Sequence, residues 1–187
     1  AEVSVLEQGP LFVKVAVKGK IGKYSFTQTI RLTQGEPRID MSVKLDWTGN
    51  PRIGEPGIEF RADNPRKSFY DDRYKLLVYL PIQIANQQIY KDAPFDVCES
   101  RLENTFFNRW DSIKHNIILN WVDVTSKDNS CGLSLFTDHT TSYAHGKDFP
   151  LALNVQYAGK GLWGRDYIID RPTEISYALI PHAGTWE

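Results

Sequence analysis

The stretch Ile39-Asp40-Met41-Ser42-Val43-Lys44-Leu45-Asp46-Trp47 alternates apolar and polar residues without a break over nine positions. Successive side chains of an extended chain point to opposite faces. The pattern therefore predicts a β-strand with one face buried and one face wet. Upstream, Val13, Val15 and Val17 alternate with Lys14 and Lys18. Tyr24, Phe26, Ile30 and Leu32 alternate with Ser25, Thr27, Thr29 and Arg31. Turn chemistry separates these runs at Gly19-Lys20-Ile21-Gly22 and Gln34-Gly35-Glu36-Pro37. The first 48 residues read as an antiparallel meander.

Downstream the same signal continues. Residues 74–80 are apolar on both faces, which predicts a central strand covered on both sides. His115, Ile117, Leu119 and Trp121 alternate with Asn116 and Asn120 and read as one strand. Leu133 with Leu135, then Leu151, Leu153, Val155 and Tyr157, then Ile175, Tyr177 and Leu179 complete the series. That makes about eight to ten strands with turn residues between them, the pattern of an all-β antiparallel sandwich. No stretch longer than about ten residues holds a helical period. Residues 48–73, 138–149 and 158–172 resist strand assignment. Long irregular connections of this kind are expected to be functional or flexible.

Length and composition bound the rest. A chain of 187 residues and 21.4 kDa is read as a single domain, 1–187. Lys and Arg number 22 against 23 Asp and Glu, a net charge of −1. Without a basic excess, the electrostatic term that drives binding to nucleic acid or an anionic membrane is missing, so neither is expected as a partner. Residues 76–90 form the longest charge-free run, and Pro81, Gln83, Asn86, Gln87 and Gln88 disqualify it as a membrane span. The chain begins with Ala1 and its one methionine is Met41, which fits either a removed initiator or a piece of a longer polypeptide. No signal peptide is visible, and the compartment stays open. Cys98 and Cys131 match no metal spacing and are expected as two buried thiols, with a disulfide the alternative in an oxidising compartment.

Several motifs bear on chemistry. Residues 159–164 fit G-x-G-x-x-G, but residues 165–172 read as strand or loop rather than the helix that would hold a pyrophosphate. A Gly-rich bend is the plainer reading. His139 and His145 share a predicted loop with Asp138 and Asp148, donors that suit a metal, yet a six-residue spacing is no ligand signature. His115 reads as a hydrogen-bonded core residue, and His182 is uninformative alone. Ser142, His139 and Asp138 come without a nucleophile elbow. Sugar recognition is better served. Aromatic rings stack on a pyranose face, while carboxylates, amides and Arg bind its hydroxyls. Trp163, Arg165, Asp166, Tyr167 and Asp170 lie in one segment, and Asp138, His139 and Tyr143 in another. The plainer reading packs Trp163 at the sandwich end and leaves Arg165 and Asp166 as surface charges.

Five segments in order resemble the C-terminal β-domain of glycoside hydrolase family 38, the α-mannosidases. They are Val5-Leu6-Glu7-Gln8-Gly9-Pro10-Leu11, the strand ending in Trp47, Tyr74-Lys75-Leu76-Leu77-Val78-Tyr79-Leu80-Pro81, Asn120-Trp121-Val122-Asp123-Val124 with Gly132-Leu133-Ser134-Leu135-Phe136-Thr137-Asp138, and Leu179-Ile180-Pro181-His182-Ala183-Gly184. The resemblance implies a two-sheet supersandwich like that of galactose mutarotase. It further implies retaining hydrolysis of α-mannosides by a Zn²⁺ and an Asp nucleophile that belong to an N-terminal α/β catalytic domain. No βαβ pattern occurs here, so no nucleophile and no zinc ligand is carried over, and the chain alone is expected to be non-catalytic. The expected partners are that catalytic domain and mannose-containing glycans. Asp138, His139, Trp163 and Arg165 are the candidates for reaching the sugar cleft. The alternatives are a free-standing carbohydrate-binding module, a structural or oligomerisation domain, and a mutarotase-type epimerase.

Overall fold

The computed structural model describes residues 1–51, 75–101, 113–146, 149–157, 159–160 and 166–187. Among them are fifteen β-strands and no helix: β1 (Glu2–Gln8), β2 (Phe12–Ile21), β3 (Tyr24–Thr33), β4 (Ile39–Asp46), β5 (Lys75–Leu80), β6 (Gln87–Ala93), β7 (Asp96–Glu99), β8 (Ile113–Ile118), β9 (Trp121–Ser126), β10 (Gly132–Thr137), β11 (Thr141–Gly146), β12 (Phe149–Tyr157), β13 (Gly159–Lys160), β14 (Asp166–Tyr167) and β15 (Thr173–His182). A nine-stranded antiparallel sheet runs β1-β2-β3-β4-β15-β10-β9-β6-β7, and a four-stranded sheet runs β5-β12-β11-β8. The all-β, two-sheet class expected from the alternation is the class observed.

The meander forms as its turns dictate. Gly22, at φ 59°, makes the two-residue connection between Ile21 and Tyr24, a backbone conformation that costs glycine nothing. Strand β4 then pairs on one side with β3 and on the other with the distant β15, where Val43 faces Ile175. Val43, Leu45, Val122, Val124, Leu135, Ile175, Tyr177 and Leu179 of the large sheet meet Leu80, Ile118, Tyr143, Leu151, Leu153 and Val155 of the small one. Each large apolar side chain so buried contributes roughly 1.5–3 kcal/mol. Trp47 closes one end of this core. Its ring lies edge-on to Tyr24, and its Nε1 donates to Thr173 Oγ1 at 2.9 Å. Thr173 Oγ1 in turn donates to Gln156 Oε1 at 2.6 Å.

Four expectations need correction. Residues 113–126 do not form one strand: β8 lies in the small sheet and β9 in the large one. The corner between them is held by the buried Asp92, whose carboxylate accepts from Leu119 N at 3.1 Å, Asn120 N at 2.7 Å and Asn120 Nδ2 at 2.8 Å. Strand β5 is not central; among the described residues it pairs only with β12, at a sheet edge. Its outward apolar character is explained by Tyr79, which packs edge-on against Phe149 with centroids 5.5 Å apart. Part of the predicted loop 138–149 is the strand β11. Ser142, Tyr143, Ala144 and His145 are buried on both of its faces, so no alternation marked it. Finally, Cys98 is half-buried and Cys131 exposed, both as free thiols, rather than two buried ones.

Among the described residues one apolar face is only partly covered. Val3, Val5, Val13, Val15, Val17, Ile30 and Leu32 lie in register on the core side of β1–β3, but none belongs to the core between the sheets. Val3 is 68% and Val5 60% exposed.

The corner yields a test. Asp92→Ala removes the acceptor of three N–H bonds and is expected to lower unfolding stability by about 3 kcal/mol in urea titration. Asp92→Asn, which keeps the shape and loses the charge, is expected to fall between that variant and the parent.

Candidate functional site

The polar positions of the meander are not a uniform wet face. On the side of the large sheet away from the core, one rung across the strands is Lys14, Arg31, Asp40, Ala178 and Phe136. The next rung is Ala16, Thr29, Ser42 and Ser176, all small. The low rung beside the tall one leaves a groove of about 420 Å³ whose lining includes Lys14, Arg31, Arg38, Asp40, Thr29, Ser42, Ser176 and Asp138. Its size is that of a small-ligand pocket. On the floor, Thr29 Oγ1 and Ser42 Oγ are 2.6 Å apart. At one wall Arg38 Nε meets Asp40 Oδ1 at 2.8 Å. Arg31 lies over the Phe12 ring, 4.4 Å from its centroid.

Of the sequence candidates, Asp138 lies in this groove, at the turn between β10 and β11. His139 sits beside it and pairs through Nδ1 with Asp138 Oδ1, while Thr137 Oγ1 donates to the His139 carbonyl at 2.9 Å. Trp163 and Arg165 lie outside the described residues. So do Asp148 and the centre of the Gly-rich motif, whose first two residues pair with β14 as the two-residue strand β13. Sequence reasoning missed the groove residues Lys14, Arg31, Asp40 and Ser42. They stand at the polar positions of the very alternation that predicted the strands, and only the register across strands gathers them.

A second polar cluster lies on the same face, nearer the other end of the sheet. Asp123 is fully buried, and its Oδ2 accepts from Ser134 Oγ at 2.6 Å and bonds His182 Nε2 at 2.7 Å. Gly132 faces His182 across one ladder and Thr125 across the other, and a Cβ there would overlap both side chains. The C-terminal segment folds back over this end. Gly184 N donates to the Asn129 carbonyl, and Trp186 stacks on Trp121 and tilts against Tyr90. Two of the five segments that carried the family resemblance thus meet at one buried carboxylate. Here the carboxylate sits between Ser134 and His182, so the histidine cannot draw a proton from that serine, and the trio is structural.

Of the residues weighed as metal donors, Asp148 lies outside the described residues and the two histidines stand in different surroundings. His145 is buried on β11, and His139 is engaged by Asp138 at an exposed turn. Among the described residues no three His, Cys, Asp or Glu side chains gather to hold a metal ion. Desolvation holds the His145 pKa down to about 4. Above pH 6.5 the ring is neutral whether the chain is folded or not. Between pH 6.5 and 4 only the unfolded chain takes up the proton, so stability falls by up to about 1.4 kcal/mol per pH unit, and the loss levels off below pH 4. His145→Gln is expected to flatten that part of the stability–pH curve in urea unfolding. Gly132→Ala should destabilise by about 1–3 kcal/mol through overpacking against His182, read as a lowered Tm.

Comparison with known proteins agrees with this architecture. The sequence model of the glycosyl hydrolases family 38 C-terminal domain matches residues 1–154. An α-mannosidase from Enterococcus faecalis V583 superposes with a TM-score of 0.68 at 12% identity, over 98% of this chain and 22% of that one. A family 38 glycosyl hydrolase from Enterococcus faecalis gives 0.67 at 12% identity, over 98% and 23%. An α-galactosidase from Lactobacillus brevis gives 0.54 at 8% identity, over 98% and 27%. This chain thus spans about a quarter or less of the length of these structures, and at such identities the likeness is one of fold. No curated protein matches the chain significantly in sequence. With more than four-fifths of its length under the family model, the chain belongs to the glycosyl hydrolases family 38 C-terminal domains.

Proposed function

We propose that residues 1–187 are the C-terminal β-domain of a larger α-mannosidase-like, retaining glycoside hydrolase, non-catalytic on its own and docked on an N-terminal α/β catalytic domain. The observation that carries this reading is the family match over residues 1–154 of a chain with a partly covered apolar sheet face. Val3, Val5 and Leu32 are exposed, and burial against a catalytic domain would cover them. The zinc of the family belongs to that domain in this reading, because the described residues offer no cluster of ligands for it. Asp138, with His139 beside it, accepts bonds from sugar hydroxyls at one side of the cleft. Trp163 and Arg165, in residues 158–172, are the stacking and hydroxyl-binding candidates.

The test uses an aryl α-mannoside with Zn²⁺. The 187-residue chain is expected to give no turnover, whereas the parent polypeptide turns the substrate over and its Asp138→Ala variant shows a KM raised several-fold. Turnover by the chain alone overturns the reading. Tight binding of neutral mannose or mannan by the chain alone, without a partner domain, favours a free-standing carbohydrate-binding module instead.

A further inference from the structure

Lys14 and Arg31 are directly opposed across the β2–β3 ladder, on the side of the sheet that carries the groove. Like charges in opposed positions repel each other. Among the described residues neither cation forms an ion pair. Glu7 stands opposite Lys14 on β1 and Asp40 opposite Arg31 on β4, but neither carboxylate makes an ion pair with the cation it faces. The two carboxylates of the groove are engaged elsewhere, Asp40 by Arg38 and Asp138 by His139. Arg31 is held over Phe12, which lies on the same face of β2, so its guanidinium is positioned by packing rather than by a counter-ion. Beside the two cations, Thr29, Ser42 and Ser176 present hydroxyls along the low rung.

We infer that this groove binds a saccharide carrying an oxyanion, a phosphate or carboxylate group. The anion sits between Lys14 and Arg31, and the sugar hydroxyls lie along Thr29, Ser42 and Ser176 toward Asp138. Two opposed cations lose their mutual repulsion when an anion sits between them, and a guanidinium offers the forked donors that phosphate and carboxylate oxygens accept. A neutral sugar gains only the hydroxyl contacts. The saccharide part rests on the proposed α-mannosidase-like function; the anion part rests on the opposed cations alone.

The test is calorimetric titration of the 187-residue chain with mannose 6-phosphate, mannose and inorganic phosphate. Mannose 6-phosphate is expected to bind at least tenfold tighter than either of the others, and its affinity to fall as salt rises. The Lys14→Gln/Arg31→Gln double variant, at surface positions and checked for an unchanged circular dichroism spectrum, is expected to lose at least tenfold in affinity. Equal binding of mannose and mannose 6-phosphate, or no effect of the double variant, overturns the anion site. Inorganic phosphate binding as tightly as the sugar phosphate overturns the saccharide assignment. All of these are read without turnover, so failure of the hydrolase reading shows separately, in the mannoside assay.

Discussion

The pleat of β4 is the constraint on which the molecule turns. Its core side, Val43 and Leu45, is sealed between two sheets, and that burial obliges Asp40, Ser42 and Lys44 to the opposite face. Because β4 is clamped between β3 and β15, its alternation is copied sideways through both ladders. One buried stripe therefore organises a whole polar face. The groove is a consequence of the same copying: a rung of long charged side chains beside a rung of Ala, Thr and Ser leaves space that no core residue can enter.

The two ends of the outer face have taken different routes to satisfying their polar groups. At the β9–β10 end the polar atoms are withdrawn from water: Asp123 Oδ2 is held by Ser134 and His182, while Asp123 Oδ1, Thr125 Oγ1 and His182 Nδ1 are buried without a partner among the described residues. A buried carboxylate is tolerated only when hydrogen-bonded in this way. At the β2–β4 end the polar atoms stay open, and among the described residues Lys14 and Arg31 form no ion pair. The closed end has the character of a lock on the C-terminal strand, and the open end leaves its charged side chains to solvent.

Much of the fold was legible in the residues, and the failures share a cause. The strands β2, β3, β4, β12 and β15 announced themselves because apolar residues recur at every second position along them. Strand β11 did not, since both of its sides are buried, and β6 did not, since Gln87, Gln88, Lys91 and Asp92 mask its apolar positions. The corner at Leu119 and Asn120 was read through as one strand because the alternation continues across it. The carboxylate that turns the chain there, Asp92, is far away in sequence. Of the site candidates, Asp138 was picked out by residue type and lines the groove. Lys14 and Arg31 went unnoticed, because a charged residue at a wet strand position looks the same whether it faces solvent or a ligand groove.

By itself the sequence determined that the chain is all-β and antiparallel and that β4 buries every second residue. Its ordered motifs also named its family. These follow from local stereochemistry: a period of two sets the face of each side chain relative to its own strand. Only the tertiary structure decided which strands lie side by side, which sheet β8 and β9 each join, that Asp123 and His182 meet, and that Val3, Val5 and Leu32 on the apolar face of β1–β3 stay exposed. The reason is that register between strands distant in sequence is set by the packing of two sheets against each other, and no local pattern carries that information.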